Sequence, residues 1–339
     1  MQLRFKPYHL EFKYPFRIAN FTRTSTPVVI TEIEQEGVIG YGEASMPPYL
    51  GETHDTALIL LSLAQKIIAE TSIDYDINEV MGRIDAIAEG NPAAKASIDI
   101  ALHDLKGKIL NTPCYTFFDV DKSKTLNTSI TIGISEPQLI KAKIKDAEHF
   151  KVIKVKLGSD NDREIIKNIR VHTDKPISVD VNQGWKNKEE ALELSGWLKE
   201  QNVIFIEQPF AKTDLDAHAW LTERSPLPII ADESAQRLKD IEVIQNCFHG
   251  INVKLMKSTG MNEAHKMIVS ARKYKLKVLI GCMSETSCAI SAAAQLSPLA
   301  DWADLDGSLL IKNDLFDGVK FVDGKITLND RPGIGVFPI

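Results

Sequence analysis

Eight short apolar runs, each followed by a helical segment, constrain this chain more than any other feature. They lie at residues 129–134, 152–157, 177–181, 203–206, 228–231, 251–255, 278–281 and 302–305. Each begins roughly two dozen residues after the one before, the spacing of regular βα units. Such units predict a parallel (β/α)8-type barrel, an α/β fold. At 339 residues the chain exceeds the size at which one core usually stops growing, so a barrel has room for a second domain.

That second domain is expected at residues 1–120. Residues 1–45 mix strand formers such as Leu3, Phe5, Val28, Val29, Ile30 and Ile33 with the turn glycines Gly37, Gly40 and Gly42. The pattern predicts a small antiparallel sheet. Residues 16–27 read as a loop from their polar and proline content, and 45–53 as a second loop with Pro47, Pro48 and Gly51. Helices are predicted at 57–70, 77–87 and 93–110, the last with Asn91 as cap and Pro92 in its first turn. The barrel is expected to occupy 125–308. Residues 310–339, rich in turns, are expected to fold back onto the N-terminal domain.

Active sites of such barrels lie at the carboxyl ends of the strands. The second run carries Lys154 and Lys156 at i and i+2, on one face of the strand. Two ammonium groups on an ordinary core face would be very costly. That face is therefore either solvent or a polar cavity that uses lysine. The third run ends at Asp180 and Asn182, the fourth at Glu207, the fifth at Asp232 and Glu233, the sixth at Lys254, and the eighth at Asp304 and Asp306. Acids from three successive strands can converge on one point, and hard oxygen ligands suit Mg²⁺. The second and sixth strands of eight face one another across a barrel mouth. A metal between two lysines can stabilise a developing enediolate while the lysines move protons. A nearby dication and a second ammonium lower a lysine pKa, toward roughly 7–8 in such bases.

Each piece also has a plain structural reading. Strand-end carboxylates often cap helices or form ion pairs, and Asn182 is a candidate for such a cap. Lys257 reads as a solvated lysine. His54, His103 and His218 lack ligand spacing and read as structural. Joint occurrence on consecutive strand ends favours function.

In this order, the KVK pair, DVN, IEQP, ADES and NVK resemble the signature of the enolase superfamily, in its muconate-lactonizing subgroup. The resemblance spans essentially the whole chain. It implies a modified TIM barrel, (β/α)7β, with an α+β capping domain built from both termini. The Asp304-Leu305-Asp306 pair is similar to the DxD motif of dipeptide epimerases, where two aspartates hold an α-ammonium group by charge-assisted contacts. The resemblance implies Asp180, Glu207 and Asp232 as Mg²⁺ ligands and Lys156 and Lys254 as the acid/base pair. Lys154 is implied to contact the substrate carboxylate. Thr131, Cys282, Met283 and Ser284 are implied to line the substrate, with Asn182, Glu233 and Glu285 supporting from behind.

Relatives specific for L-Ala-D/L-Glu place an arginine in the first capping loop, and the aligned residue here is Phe21. Arg23 lies two positions on. The expected activity is therefore Mg²⁺-dependent epimerisation of the second residue of an Ala-X dipeptide, X small or hydrophobic and neutral, by 1,1-proton transfer through an enediolate. Phe21 and the Tyr49 loop would close over X. Cell-wall peptide turnover would supply such dipeptides. The alternatives are an L-Ala-D/L-Glu epimerase proper, or an o-succinylbenzoate synthase or muconate cycloisomerase, which has no cation to place on Asp304 and Asp306. A barrel kept only as a binding module would show a broken acid triad or a missing lysine, and none is broken here.

Composition narrows the partners. A net charge of −6 gives no electrostatic argument for nucleic acid or an anionic membrane. The first sixteen residues lack the apolar run of a signal peptide. Four cysteines without CxxC pairing fit a reducing cytoplasm. The expected partner is a small dipeptide, and a homo-oligomer is compatible with all of this.

Overall fold

The computed structural model describes residues 1–18, 21–133 and 137–339, and the side chains of residues 16–22 and 134–139 lie outside that description. Strands β1 (Gln2–Ile18), β2 (Phe21–Gln35) and β3 (Val38–Ser45) form an antiparallel sheet in that order. Helices α1 (His54–Glu70), α2 (Ile77–Asp85) and α3 (Pro92–Ile109) follow and pack on it. The region predicted as a loop, 16–27, instead belongs to the ends of β1 and β2 at 16–18 and 21–27, while residues 19 and 20 lie outside the described residues. Pro27 tolerates this because β2 pairs with β3 only from Val28 onward, so its missing N–H breaks no ladder bond on that side. The register shifts between Glu11 and Phe16, an irregularity that lets the long hairpin bend.

Helix α3 lies directly against β3. A Cβ at Gly40 would stand 2.2 Å from the Ala101 carbonyl, and one at Gly42 1.9 Å from that of Ser97. Glycine is therefore required at both places, because the backbone of α3 itself stands where a side chain would be. The sequence assigned the α3 cap to Asn91. Asn91 instead adopts φ 51° and makes no capping bond, although Pro92 does open the helix. Glu52 takes the role, accepting from the Ala93 N–H at 2.7 Å and the Ala94 N–H at 3.2 Å. A carboxylate at this end also complements the helix dipole.

The barrel strands are β4 (Ser129–Ile132), β5 (Val152–Lys156), β6 (Ile177–Asp180), β7 (Val203–Glu207), β8 (Ile229–Ala231), β9 (Gly250–Lys254), β10 (Lys277–Gly281) and β11 (Trp302–Asp304). They form one parallel sheet in chain order, and a Thr128–Ala303 bridge joins its two edges. Among the described residues seven helices alternate with them: α4 (Pro137–Asp146), α5 (Asp162–Arg170), α6 (Lys188–Glu200), α7 (Leu215–Arg224), α8 (Asp240–Ile244), α9 (Met261–Lys273) and α10 (Ser287–Ala294). β11 runs into a short 3-10 turn rather than a helix. The architecture is the (β/α)7β barrel with an antiparallel sheet cap. All eight predicted runs coincide with these strands to within one or two residues where described.

Cap and barrel are joined by buried acids at helix N-termini. Asp99 of α3 accepts from the Met261 N–H at 2.5 Å and so caps α9, whose preceding Gly260 has no side chain to do it. Glu43 of β3 accepts from the Thr286 and Ala289 N–H groups and the Thr286 hydroxyl at the start of α10. The tail returns along the cap: Lys312 N–H donates to Glu11 O, and Cys114 N–H to Gly333 O, both at 2.8 Å. No described helix is long and apolar enough to cross a membrane.

Candidate active site

Register places the chemistry in one layer. Thr131 pairs with Lys154, Lys156 with Asp180, and Asp180 with Glu207 on adjacent strands. Across the mouth, Lys254 pairs with Gly281, and Gly281 with Asp304. Strand alternation sends Lys154 and Lys156 inward while Ile153 and Val155 pack outward in the core. One cavity is lined by Lys154, Lys156, Lys254, Thr131, Asn182, Cys282, Met283, Ser284, Asp304 and Asp306. Arg23, Pro47 and Tyr49 of the cap close it from above, and Leu310 borders it. Every described side chain that the sequence assigned to substrate contact is therefore brought together. Phe21 has its side chain outside the described residues.

Asp180, Glu207 and Asp232 are fully buried, and one oxygen from each lies within 4.8 Å of the others. Oxygens on opposite sides of Mg²⁺ are about 4.2 Å apart, so the triad fits that cation with little adjustment. All three are acids of the hard type Mg²⁺ prefers. Burial would raise the Asp180 carboxyl, but the ammonium groups of Lys156 and Lys154 hold it at about 2. Burial likewise opposes ionisation of Asp232, and Lys254 and Lys257 overcome it, holding the carboxyl well below its usual range. Glu207 rises to about 7 through burial and the neighbouring Asp180 charge.

The buried lysines differ in what remains free on each ammonium, which has three N–H donors. Lys154 Nζ meets Glu207 Oε2 at 2.7 Å, Asp304 Oδ2 at 2.7 Å and Asp180 Oδ2 at 3.1 Å. Its donors are committed. Among the described residues Lys156 Nζ has one such partner, Asp180 Oδ2 at 2.6 Å. Lys254 Nζ meets Asp232 Oδ2 at 2.7 Å and only approaches Glu207 Oε1 at 4.0 Å. Lys156 and Lys254, on opposite walls, keep donors for something in the cavity. Burial lowers the Lys254 pKa, but Asp232 outweighs it and holds the group well above the usual lysine value. The lowering expected from the sequence needs the opposing charge of a dication.

At the far wall Asp304 accepts from the Ser129 hydroxyl at 2.6 Å as well as from Lys154. Asp306 accepts from the Thr131 N–H at 2.6 Å. Burial and the Asp304 charge push Asp306 up to about 7. Among the described residues no lysine, arginine or histidine nitrogen is paired with Asp306.

Relatives match this chain along nearly all of its length. Residues 4–118 match the N-terminal domain of mandelate racemase and muconate lactonizing enzyme, and residues 139–338 match the enolase C-terminal domain-like family. An L-Ala-D/L-Glu epimerase of Bacteroides thetaiotaomicron is 52% identical over 100% of this chain and 88% of its own. An L-Ala-D/L-amino acid epimerase of Pedosphaera parvula is 36% identical over 98% and 97%. A crystal structure of the Cytophaga hutchinsonii dipeptide epimerase, complexed with Mg and the dipeptide D-Ala-L-Val, superimposes with a TM-score of 0.92. It is 30% identical and covers 100% of this chain and 95% of that one. The chain belongs to the dipeptide epimerases of the enolase superfamily. It is thus an isomerase by family.

Sequence reasoning missed several groups in this epimerase. Lys257, read as solvated, is buried with Nζ 2.5 Å from Asp232 Oδ1. It follows a strand end by three residues, where a turn carries it back under the barrel mouth rather than out to water. Asn252 donates to Glu207 Oε1 at 2.7 Å. It lies two residues before Lys254, so strand alternation could have found it. Gln208 accepts from the Asp232 N–H at 2.9 Å and fixes the start of that loop. Behind the cavity, Glu285 accepts from the Met283 N–H at 2.8 Å and is pushed up to about 8 by burial and the nearby Glu43. Glu233 is raised to about 7 by burial and the Asp232 charge. Asn182 donates its N–H to Asp180 Oδ1 at 3.0 Å. His54, His103 and His218 all bond to backbone carbonyls, in keeping with structural roles.

Proposed function

We propose that the chain inverts the α-carbon of the second residue of a dipeptide with a free N-terminus, using Mg²⁺ held by Asp180, Glu207 and Asp232. The observation that carries this reading is the sorting of the buried ammonium groups: among the described residues only Lys156 and Lys254 keep spare donors at the cavity, and they stand on opposite walls. Inversion needs a proton removed on one face and returned on the other, so each lysine serves one epimer as base and the other as acid. Bound Mg²⁺ supplies electrostatic stabilisation of the charge that develops on the substrate carboxylate. Lys154, with its donors committed to three acids, fixes the wall on which that carboxylate rests. Asp306, buried and paired with no cation among the described residues, receives the substrate α-ammonium together with Asp304. Epimerisation should be lost after exhaustive EDTA treatment and restored by Mg²⁺. N-acetyl dipeptides that turn over as well as free ones would overturn the reading.

The second side chain faces the cap, and there the reading departs from the neutral residue favoured by the sequence. Arg23 lines the cavity beside Tyr49 and Lys156. Burial lowers its pKa, the mark of a partly desolvated guanidinium. An acidic second residue placed against it forms a charge-assisted pair instead of an unpaired buried charge, a difference of several kcal/mol. The substrate class is therefore Ala-Glu-like, in line with the relative from Bacteroides thetaiotaomicron. A neutral residue is the second reading, because Arg23 also donates to Thr26 Oγ1 at 3.3 Å and stacks on Phe12. Comparing kcat/KM for Ala-Glu and Ala-Val decides. The acidic reading expects Ala-Glu to lead by tenfold or more, and Arg23→Met to erase that lead while sparing Ala-Val.

A further inference from the structure

Lys257 takes no part in the chemistry proposed above, yet it is one of the most enclosed charges in the barrel. It lies in the turn after β9, with 3% of its surface exposed. Its Nζ donates to Asp232 Oδ1 at 2.5 Å, to the Asp232 carbonyl at 2.6 Å and to the Asn252 carbonyl at 2.9 Å. Three acceptors use all three donors of an ammonium group. Nothing remains with which to touch substrate, so Lys257 is a positioning residue. What it positions is one oxygen of one acid. Asp232 Oδ1 is turned toward Lys257, and Asp232 Oδ2 toward Lys254, which lines the cavity.

We propose that Lys257 sets the cation selectivity of the site by occupying Asp232 Oδ1, so that Asp232 offers a single oxygen to the metal. This rests on the assignment of Asp180, Glu207 and Asp232 as metal ligands. Mg²⁺ demands near-ideal octahedral geometry, while Ca²⁺ takes six to eight oxygens and accepts bidentate carboxylates. A carboxylate with one oxygen tied down serves the first cation and handicaps the second. Two neighbours keep the clamp rigid. The Asp232 N–H is held by Gln208 Oε1 at 2.9 Å, and Asn252, whose carbonyl Lys257 grips, bonds to Glu207.

Isothermal titration of the full chain with MgCl₂ and with CaCl₂ tests this without any turnover. Lys257→Met keeps most of the stem and removes the donors. Lys257→Gln is shorter and neutral but can still meet a carbonyl, and it stands in should the methionine variant not fold. Removing a positive charge changes the affinity of both dications in the same direction, so the ratio Kd(Ca)/Kd(Mg) isolates the geometric effect. In either neutral variant that ratio should fall by tenfold or more from the wild-type value, and Lys257→Arg should hold it within about threefold. A ratio unchanged in the neutral variants would overturn the proposal and leave the metal assignment standing. Wild-type protein that binds neither cation would overturn the assignment and this inference with it.

Discussion

The barrel mouth and the cap–barrel seam both bury several acids, and they neutralise them by different means. At the mouth, Asp180, Glu207, Asp232 and Asp304 are met by the ammonium groups of four lysines. At the seam, Glu43 and Asp99 are met by backbone N–H groups at helix starts, and Glu52 is met in the same way inside the cap. An ammonium on a four-carbon stem can move and can exchange protons. A backbone amide can do neither, because moving it unwinds the first turn of a helix. The first kind of pairing suits acids that must bind a cation and tolerate a reaction. The second suits acids that only fix one part of the fold upon another. If this division holds, substitutions at the mouth should abolish turnover with the fold intact, and substitutions at the seam should shift stability with turnover intact.

The largest effect belongs to the mouth. Lys156→Ala and Lys254→Ala should each lose epimerisation by at least roughly 10²–10⁴-fold, the span of a lost general acid or base. Circular dichroism should show a native fold in both. NMR in D₂O adds a directional readout, since one variant can still exchange the α-proton of one epimer without inverting it. Near wild-type epimerisation by either variant would break the two-lysine assignment.

This contrast also tracks what is legible in the sequence. The mouth acids and lysines sit at strand ends, and strand period and register are local properties, so Lys154, Lys156, Asp180, Glu207, Asp232 and Lys254 were all placed on the correct face from sequence. Asn252 obeys the same rule and was overlooked. Lys257 was not legible, because its burial depends on a turn that folds back beneath the mouth. The seam acids were not legible either. Glu43 and Asp99 cap helices 243 and 162 residues away in the chain, and such pairing exists only once the cap has docked. Glu52 displaced Asn91 for the same reason: local capping preference lost to a stronger acceptor brought in by the fold. The strand ends at 16–18 and 21–27 read as a loop because proline and polar content disfavour a strand, but they do so only where both ladder faces must be satisfied.

Next in size is a pH effect at the seam. Burial raises the Glu43 carboxyl to about 7, with the Thr286 donors opposing it. The unfolded chain ionises this group near 4.5. Between those values the folded state binds more protons than the unfolded one, so stability falls as pH rises and the loss is complete above pH 7. The full span is about 3 kcal/mol. Glu43→Gln removes the titration, and its urea-unfolding free energy should therefore fall less between pH 5 and pH 8 than that of the wild type. A parallel pH dependence in the two proteins would show that Glu43 does not carry it. Turnover at saturating dipeptide should be unchanged.

The smallest effect separates charge from hydrogen bonding at the other seam contact. Asp99→Asn keeps a side-chain oxygen for the Met261 N–H and removes the negative charge. That charge does two things. It complements the N-terminal dipole of α9, which is worth about 0.5–1 kcal/mol. It also lies 3.3 Å from His103 Nδ1, and although burial opposes protonation of that ring, Asp99 raises its pKa above the usual histidine value. A histidine raised in this way adds stability that is fully present below its unfolded pKa and is lost as pH rises through the folded one. The cost of Asp99→Asn should therefore be larger at pH 5.5, where both contributions are removed, than at pH 9, where only the dipole contribution is. Thermal unfolding at the two pH values measures the difference. Equal costs at both would mean that the His103 proton is not linked to Asp99, and the seam would then rest on backbone contacts alone. A drop in kcat at either pH, with Mg²⁺ saturating, would mean that the cap transmits strain from α9 to Lys254 and Lys257, and the division between mouth and seam would have to be redrawn.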